Sequence, residues 1–503
     1  MAERTTFDLV VIGGGINGCG IAADAAGRGL KVLLVEAEDL SRGTSSASSK
    51  LIHGGLRYLE HYEFRLVREA LAEREVLLAK APHIIWPLRF VLPHVPGLRP
   101  RWMIRAGLVL YDHLARRKRI PASSGIDLRR DAAGRPLRDE FSHGFAYWDC
   151  WVDDARLVVL NARAAADRGA VIRTRTRATR MEPQGHHWHV RLAQGSTVSE
   201  VRARALVNAA GPWVDQVAAS IAAPGGNARP HLRLIKGSHI VVPRIAGAND
   251  AYLLQSADGR VVFALPYEDN FTLIGTTDVA FTGDAKDVAI AADEESYLLA
   301  LASRFFKVPL TADSIVWRYA GVRPLYDDQS DNPSAVTRDY KLELSAGQGR
   351  PPLLTVMGGK VTTYRRLAEE ALDRLGPHMG PMGPAWTTRA PLPGGDIPGG
   401  DFAGFVQRLR HQYPHLDAEL LHRLARRHGS NTATVLSTAK QTADLGRDLG
   451  YGLTEREVAY LRHHEWATTA DDVLWRRTKV GLHLTPEQRA TAATAIDRLL
   501  RHA

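Results

Sequence analysis

The sequence predicts an α/β protein in which a discontinuous, Rossmann-like dinucleotide-binding domain carries an inserted antiparallel sheet and an all-helical C-terminal domain. Three observations predict this architecture. An apolar run at residues 7–12 leads directly into a glycine-rich turn and a helical pattern. Between residues 233 and 278, four apolar runs separated by turn residues are typical of an antiparallel sheet. After the glycine- and proline-rich segment at 392–401, the apolar residues follow helical spacing.

The glycine-rich turn has the spacing of a dinucleotide-binding motif. Gly13 permits a tight turn, Gly15 lets a pyrophosphate approach the backbone, and Gly18 lets the next helix pack on the strand, with Asn17 in the same turn. The N-terminus of that helix directs amides and a favourable dipole at the phosphates. Glu36 ends the second apolar run, 23 positions after Gly13, where a carboxylate can accept hydrogen bonds from ribose hydroxyls. The motif alone suits NAD and FAD equally.

Composition narrows the class of protein without naming a substrate. The chain has 503 residues, 45% hydrophobic and 24% charged, which indicates an ordered protein of two or three domains. The net charge of +10 suits an anionic substrate, a nucleic acid or an acidic membrane surface. Cys19 and Cys150 have neither a CxxC nor a zinc-like spacing, so a reducing compartment is expected. No secretion-signal pattern and no run of eighteen apolar residues occurs, so we expect a protein that does not span a membrane.

Eight motifs follow one another along the chain in the order found in one enzyme family. They include RGTSSASSKLIHGGLRYLE at 42–60, NAAGPWVD at 208–215 and GGKVTTYRRLAEEAL at 358–372. With them the sequence resembles the FAD-dependent glycerol-3-phosphate dehydrogenases of the respiratory, quinone-reducing type, over practically the whole chain. The other motifs are WVDDARL (151–157), LIKGSHIVVP (234–243), IGTTD (274–278), GVRPL (321–325) and ADDVLWRRT (470–478).

The resemblance implies FAD as the cofactor, because three further segments would converge on it with the glycine turn. These segments are the loop at 41–53, NAAG at 208–211 and GGKVTT at 358–363. The local alternative for the serines of the first loop is that they cap their own backbone. The residues expected to contact FAD besides Gly13, Gly15, Asn17, Gly18 and Glu36 are Thr44, Ser45, Ser46, Ser48, Lys50, His53, Ala210, Gly211, Gly358, Gly359 and Thr362.

Changes in composition and in apolar pattern divide the chain into six segments, and the resemblance implies their roles. Asp153 or Asp154 is expected to cap a helix that ends before Gly169, and this helix belongs to the second FAD-binding segment. The predicted segments are 1–84 (FAD-binding), 85–149 (substrate- or membrane-facing), 150–232 (FAD-binding), 233–319 (antiparallel substrate-binding sheet), 320–388 (FAD-binding) and 389–503 (helical).

The implied reaction is oxidation of glycerol 3-phosphate to dihydroxyacetone phosphate, with hydride transfer to FAD. The substrate phosphate calls for cations, and a guanidinium fork matches its oxygens. Arg57 and Arg323 are the candidates for binding the phosphate, and Lys360 could hold the phosphate or lie near the reacting oxygen. Oxidases of the superfamily tend to carry a central insertion that this sequence lacks, so quinone is the expected acceptor. An oxidase acting on glycerol 3-phosphate or an amino acid is the alternative.

The hydroxyl that is oxidised must lose a proton, so the site needs a base. His53, which precedes two glycines, and His239, on a predicted strand of the inserted sheet, both remain candidates because an imidazole titrates near neutral pH. Tyr58 and Thr277 are expected to add hydrogen bonds to the substrate. His463-His464-Glu465 superficially resembles a metal-binding fragment, but adjacent histidines on a helix face different directions, so no metal is predicted.

A quinone acceptor dissolves in lipid, so we expect attachment to the cytoplasmic face of an inner membrane. The segment 99–119 combines apolar and basic residues suited to an anionic bilayer, although a helix packed inward with a solvated basic end is nearly as plausible. No nucleic-acid motif is present, so nucleic acid is not an expected partner. The helical domain could be a cap, a homodimer contact or a docking surface. The expected anchors are Trp102, Met103, Ile104, Leu108 and Leu110, with Arg99, Arg101, Arg105, Arg116, Arg117, Lys118 and Arg119 for the headgroups.

Overall fold

A computed structural model describes residues 5–221, 232–256, 259–326, 339–347 and 349–502. Parts of the second and third predicted FAD-binding segments, at 222–231 and 327–338, lie outside the described residues. Within the described residues the strands are β1 (Thr6–Ile12), β2 (Val32–Val35), β3 (Leu51–Ile52), β4 (Ile85–Pro93), β5 (Ser124–Asp127), β6 (His143–Val152), β7 (Val171–Arg173), β8 (Arg177–Gln184), β9 (His187–Gln194), β10 (Thr197–Asn208), β11 (Leu232–Pro243), β12 (Ala251–Gln255), β13 (Val261–Tyr267), β14 (Phe271–Gly275), β15 (Val279–Ala280), β16 (Trp317–Tyr326), β17 (Lys341–Gly347) and β18 (Arg350–Met357).

The helices alternate with strands in the first part of the chain and follow one another at its end. Several 3₁₀ turns and one π-helical turn, Asp472–Arg477, connect them. The α-helices are α1 (Ile16–Gly27), α2 (Phe64–Lys80), α3 (Arg101–His113), α4 (Asp154–Ala166), α5 (Val214–Ala219), α6 (Ala292–Phe305), α7 (Tyr364–Met379), α8 (Phe402–Gln412), α9 (Ala418–His428), α10 (Thr432–Leu436), α11 (Glu455–Glu465) and α12 (Pro486–His502).

The first sheet has β1 at its centre, in the order β17-β18-β10-β1-β2-β7, and β8 and β9 extend it from β10. β1 pairs in parallel with β2 and β10, and Ile12, Val35 and Asn208 are in register. Leu9 and Val11 face a core shared with α1, α4 and α7, and the alternate residues face a second core on the other side. Burial on both faces explains the continuous apolar run of β1. The aligned strand ends set one edge at which the cofactor turns gather.

The second sheet is mainly antiparallel, in the order β15-β11-β14-β13-β12-β4-β6-β3, with β16 on β11 and β5 on β6. The predicted inserted sheet is therefore present, but it also includes β4 and β6. β4 lies in the segment predicted to be separate, and β6 crosses the predicted boundary at 149/150. Proline at both Pro87 and Pro93 of β4 obscured this strand in the sequence. The predicted boundary at 319/320 divides β16, which pairs with β11 along its whole length.

Helix α3 follows β4 and has one face buried against the protein and one face exposed. Leu108 and Tyr111 are buried in the core beneath the helix, whereas Trp102 is 70% exposed and Leu110 41%. The expectation that Leu108 is a membrane anchor is therefore wrong, because its position on the helix points it into the protein. None of the described helices is long and apolar enough to cross a membrane.

The C-terminal part forms a helical domain around its own core, to which α9, α11 and α12 contribute. Its first helix, α8, begins at Phe402, capped by the side chain of Asp401. The predicted α/β class, with a discontinuous dinucleotide-binding domain, an inserted sheet and an all-helical end, is confirmed.

Candidate active site

The turn between β1 and α1 has the geometry expected of a phosphate-binding turn. Gly13 has φ +114°, and a Cβ atom there would lie 2.5 Å from the carbonyl oxygen of Ala209. A Cβ atom on Gly18 would lie 1.9 Å from the Gly13 carbonyl oxygen, so α1 packs directly on the turn. Among the described residues, the Cβ position of Gly15 meets only the Ser45 hydroxyl, at 3.2 Å. The turn is therefore closed toward the protein and open beside Gly15.

Glu36 holds this turn through its carboxylate. Oε2 accepts the Gly14 amide at 2.6 Å and Oε1 accepts the Glu38 amide at 2.8 Å. Burial raises the pKa of Glu36, and the two amide bonds oppose that rise. Each carboxylate oxygen has a second acceptor position, so the predicted bond to a ribose hydroxyl is still open to this residue.

The loop at 41–53 is fixed by side chains from its 3₁₀ turn. The Ser45 hydroxyl accepts the first amide of α1 at 3.0 Å, and the Thr44 hydroxyl donates to the carbonyl of Val322 at 2.5 Å. Ser46 donates to Gly43 within its own turn, which is the local capping expected as the alternative for these serines. The loop is thus tied both to α1 and to β16 of the second sheet.

The carboxylate of Asp154 binds both Lys50 and Ser48. The fully buried Lys50 ammonium lies 2.9 and 3.0 Å from the two carboxylate oxygens, and the Ser48 hydroxyl donates to Oδ2 at 2.7 Å. These two residues, predicted as cofactor contacts, support the loop in this structure. Asp153 caps α4 by accepting the Arg156 amide at 3.1 Å, which confirms the expectation that one of these two aspartates is the cap. Asp154 has this larger role, which the sequence did not reveal.

The two remaining cofactor segments meet the same edge. In NAAG, the Ala210 amide donates to the Asn208 side chain at 3.3 Å, and Gly211 has φ +57°. In GGKVTT, the Gly358 carbonyl accepts the side-chain amide of Asn17 at 3.1 Å. A Cβ atom on the neighbouring Gly359 would lie 2.8 Å from that same amide nitrogen. The Thr362 hydroxyl accepts the backbone amide of His53 at 3.3 Å. The predicted segments are therefore contiguous in space.

Buried polar atoms at this edge fit a polar cofactor. Within the described part of the chain, Asn17 Oδ1, Ser41 Oγ and His239 Nδ1 are buried without a hydrogen-bond partner. Ser41 adjoins the turn, since its amide donates to the Gly14 carbonyl at 3.0 Å. Buried polar groups are rarely left unsatisfied unless a ligand or water meets them. Together with the opening beside Gly15, Asn17 Oδ1 and Ser41 Oγ suit the hydroxyl- and phosphate-rich half of FAD, whereas His239 lies on β11 of the second sheet.

His239 lies on β11 between two neighbours that fix its ring. The ring stacks on Tyr319 with centroids 4.7 Å apart, and a Cβ atom on Gly275 would lie 2.2 Å from it. Nε2 is 2.9 Å from the Ser49 hydroxyl. Burial lowers the pKa of His239 well below its usual value, and the charges of Lys50 and Arg323 lower it further. The imidazole is therefore neutral at pH 7.

His53 has a different environment. It is half-buried after β3, with its ring edge-on to Phe263 at 6.4 Å between centroids. The next residue, Gly54, donates its amide to the Tyr111 hydroxyl of α3 at 2.8 Å. A Cβ atom on Gly54 would lie 2.5 Å from that hydroxyl, so this close approach requires glycine. His53 thus lies between the cofactor segments and the inner face of α3.

Arg323 and Thr277 are both engaged by neighbouring side chains. The Arg323 guanidinium pairs with Asp278 and donates to the Thr276 hydroxyl at 2.9 Å. The buried Thr277 hydroxyl donates to Glu294 at 2.6 Å and accepts the Ser238 amide at 3.0 Å. These bonds hold β11 and use the only proton of the Thr277 hydroxyl, so a predicted substrate bond to Thr277 would have to be accepted by its second lone pair. Arg323 remains a partly exposed cation.

Lys360 and Tyr58 are brought into contact from distant parts of the chain. The Lys360 ammonium lies 3.9 Å from the centre of the Tyr58 ring. Gly55 has φ +75°, and a Cβ atom there would lie 2.2 Å from that ring, so glycine is needed for its placement. Arg57 lies half-buried on the same 3₁₀ turn, Leu56–His61. Three predicted substrate-binding residues therefore share one region.

Three residues that contact the candidate site residues were not predicted from the sequence. Ser49 lies within the serine-rich run but was not distinguished from its neighbours. Asp278 is the acidic residue at the end of the IGTTD motif, and this position indicated a possible partner for a cation such as Arg323. Tyr319 belongs to an aromatic stretch of β16 whose partner, His239, is determined by strand register.

Comparison with known proteins agrees with this geometry. A sequence model of the FAD dependent oxidoreductase family matches residues 8–365, and a model of the C-terminal domain of alpha-glycerophosphate oxidase matches residues 385–502. The fold and the site thus define an FAD-dependent oxidoreductase, and the predicted cofactor is confirmed.

The relatives specify the family. A glycerol-3-phosphate dehydrogenase of Pseudomonas aeruginosa is 57% identical over 486 residues, covering 96% of this chain and 93% of the relative. A D-erythritol 1-phosphate dehydrogenase of Brucella abortus is 52% identical, covering 99% of both chains. The structure of a glycerol-3-phosphate dehydrogenase from Bacillus halodurans complexed with FAD aligns with a TM-score of 0.75 at 27% identity, covering 100% of this chain and 96% of that one. The chain belongs to the family of FAD-dependent glycerol-3-phosphate dehydrogenases.

Proposed function

We propose that this protein oxidises sn-glycerol 3-phosphate to dihydroxyacetone phosphate and passes the electrons to a membrane quinone. The observation that carries the proposal is that a neutral histidine and two cations lie on segments bonded to the cofactor turns. His239 contacts Ser49, Arg323 follows the carbonyl bound by Thr44, and Lys360 comes two residues after the carbonyl bound by Asn17. The names of the most similar relatives support the substrate class.

The phosphate of the substrate is the group that the cations suit. Arg323 offers a guanidinium fork, and Lys360 offers an ammonium held over an aromatic face. Arg57 adds a second guanidinium on the turn that carries Tyr58. A dianionic phosphate competes well for Arg323, because Asp278 carries a single negative charge.

His239 is the proposed base. Bound FAD supplies a two-electron acceptor for a hydride. The substrate hydroxyl must also lose a proton, and a neutral imidazole can accept it at a ring nitrogen. Ser49 holds Nε2 and Tyr319 holds the ring plane, so Nδ1, which has no partner among the described residues, is the nitrogen available for this proton. His53 remains the alternative base.

A second candidate substrate is an erythritol phosphate. The Brucella abortus relative, 52% identical over 499 residues, carries this name. Both substrates present a phosphate and a secondary alcohol, so the same cations and base serve either one. They differ in length, and therefore a comparison of kcat/KM for the two compounds decides between them.

The proposed docking surface is the exposed face of α3, occupied by an anionic bilayer. Trp102 and Met103 project outward at the start of α3, and Val109 and Leu110 project near its end. Basic residues surround them, although Arg99 pairs with Glu60 and Arg105 bonds to Ser123. Apolar insertion combined with headgroup attraction gives reversible attachment. We also propose that the bilayer is the inner membrane. A homodimer is a further proposal, and sedimentation tests it by measuring the molecular mass in solution.

Anaerobic reduction of the purified flavoprotein tests the function. Glycerol 3-phosphate is expected to bleach the flavin absorption, and a soluble quinone is expected to restore it faster than oxygen. Glycerol and an amino acid serve as controls that lack the phosphate. Bleaching by the amino acid alone would contradict the substrate. Faster reoxidation by oxygen would instead favour the oxidase alternative.

A further inference from the structure

The helical domain contacts the cofactor loops through three basic residues on one short segment. Arg476 and Arg477 end the π-helical turn, and Lys479 follows with φ +61°. All three are nearly fully buried although they are charged. Buried charges are costly unless they are paired, so their partners indicate what the segment holds.

The two arginines hold Asp39, in the turn after β2. Arg477 binds both carboxylate oxygens, at 2.8 and 2.9 Å, and Arg476 Nε lies 2.6 Å from Oδ2. Asp39 lies between Glu36, whose carboxylate accepts the Gly14 amide, and Ser41, whose amide donates to the Gly14 carbonyl. The helical domain thus fixes the turn that itself holds Gly14, between Gly13 and Gly15 of the cofactor motif.

Lys479 holds the second cofactor loop. Its ammonium lies 2.9 Å from Asp153 Oδ1. The adjacent Asp154 binds Lys50 and Ser48, on either side of Ser49. One pair of neighbouring aspartates therefore links a lysine of the helical domain to the loop that positions His239.

We propose that Arg476, Arg477 and Lys479 are positioning residues for FAD, and that the helical domain is a working part of the cofactor site. The domain acts on FAD through Asp39 and Asp153 and need not touch it. This inference rests on FAD binding alone and is independent of the substrate and of the electron acceptor. It assigns a role to a domain whose function the sequence left open.

The test measures FAD affinity and protein stability separately. Apoprotein of Asp39→Asn and Arg477→Met is titrated with FAD, and binding is followed by flavin fluorescence. Asp39→Asn removes the carboxylate partner of the buried Arg477, whereas Arg477→Met leaves Asp39 paired with Arg476 alone. The double variant D39N/R477M removes both charges and leaves Arg476 paired with Asp471 and Asp472, so it is the decisive one. Loss of charge-assisted bonds that hold the turn should raise the dissociation constant about tenfold or more.

Two controls separate positioning from general stability. Arg427→Lys disturbs a buried ion pair with Glu457 that lies wholly within the helical domain, and it should lower the melting temperature while leaving FAD affinity unchanged. Lys479→Met should weaken FAD binding through the second loop. The inference is overturned if D39N/R477M binds FAD as tightly as the wild type, or if its FAD affinity returns to the wild-type value under conditions that restore its stability. It is also overturned if R427K weakens FAD binding to the same degree. Wild-type affinity in K479M would overturn the Lys479 part.

Discussion

The ammonium of Lys360 lies 3.9 Å from the centre of the Tyr58 ring, although one residue follows β18 and the other follows β3. We expect Tyr58→Leu to raise KM for glycerol 3-phosphate, because the ring no longer fixes the cation. A cation–π contact is worth about 0.5–2 kcal/mol, so the increase should be roughly two- to thirty-fold. Tyr58→Phe is the matched control, since it keeps the ring and removes only the hydroxyl that was predicted to bond to the substrate; an unchanged KM would assign the effect to the ring. A large effect of the phenylalanine variant would instead assign the role to the hydroxyl.

Replacing Arg323 should weaken substrate binding and spare the cofactor. Arg323→Met removes a charged donor, and we expect KM to rise about ten- to hundred-fold while FAD stays bound. Arg318→Met is the control, because Arg318 lies on the same strand but is exposed and pairs with Glu295. Steady-state kinetics and flavin content measure both outcomes. Loss of FAD from the Arg323 variant would mean that this residue supports the cofactor instead.

The low pKa of His239 determines the expected pH dependence. A base acts when neutral, and the pKa of His239 lies well below 6.5, so kcat/KM should not fall as the pH passes down through 6.5. The unfolded chain binds that proton more tightly than the folded protein, so stability should fall below about pH 6.5. His239→Gln should lower kcat by about 10²–10⁴ and weaken this acid sensitivity.

His53→Gln is the parallel variant, measured at the same pH values. A loss of kcat confined to His53→Gln would move the role of the base to that residue. Flavin content must be measured for both variants. The backbone amide of His53 bonds to Thr362 in the cofactor segment GGKVTT, so a shift of residue 53 would also disturb the cofactor site.

Membrane attachment should depend on the outer face of α3. Trp102→Ser is expected to weaken binding to vesicles of anionic phospholipid, measured by cosedimentation. Burial of a large apolar side chain is worth about 1.5–3 kcal/mol, which is roughly tenfold or more in the partition constant. Val198→Ser is the control, because Val198 is 51% exposed on β10 of the first sheet. Equal binding of both variants would place the docking surface elsewhere, and high salt should weaken the electrostatic part.

The sequence was most informative where the chemistry depends on local order. Strand, glycine turn and helix follow one another at residues 6–27, so the position of the cofactor turn followed from spacing alone. The helix cap at Asp153 was predictable for the same reason, since a cap depends on residues three positions apart.

Contacts between distant residues could not be predicted. Asp154 resembled a second helix-capping residue because its partner Lys50 lies 104 positions away. Leu108 resembled a membrane anchor because helical spacing shows that a face is apolar but not whether that face meets protein or lipid. The two prolines of β4 gave no strand pattern in the sequence, although the strand pairs with β6 throughout.

The joining of Asp39 to Arg477 also bears on how the chain is made. The FAD-binding turn begins at Gly13, but the contacts of Arg477 with Asp39 and of Lys479 with Asp153 form only after residue 479 has left the ribosome. Contacts of such sequence separation cannot form until both segments have been synthesised. The growing polypeptide would therefore reach its full affinity for FAD only after synthesis of the helical domain, and a chain released before that domain would bind FAD more weakly.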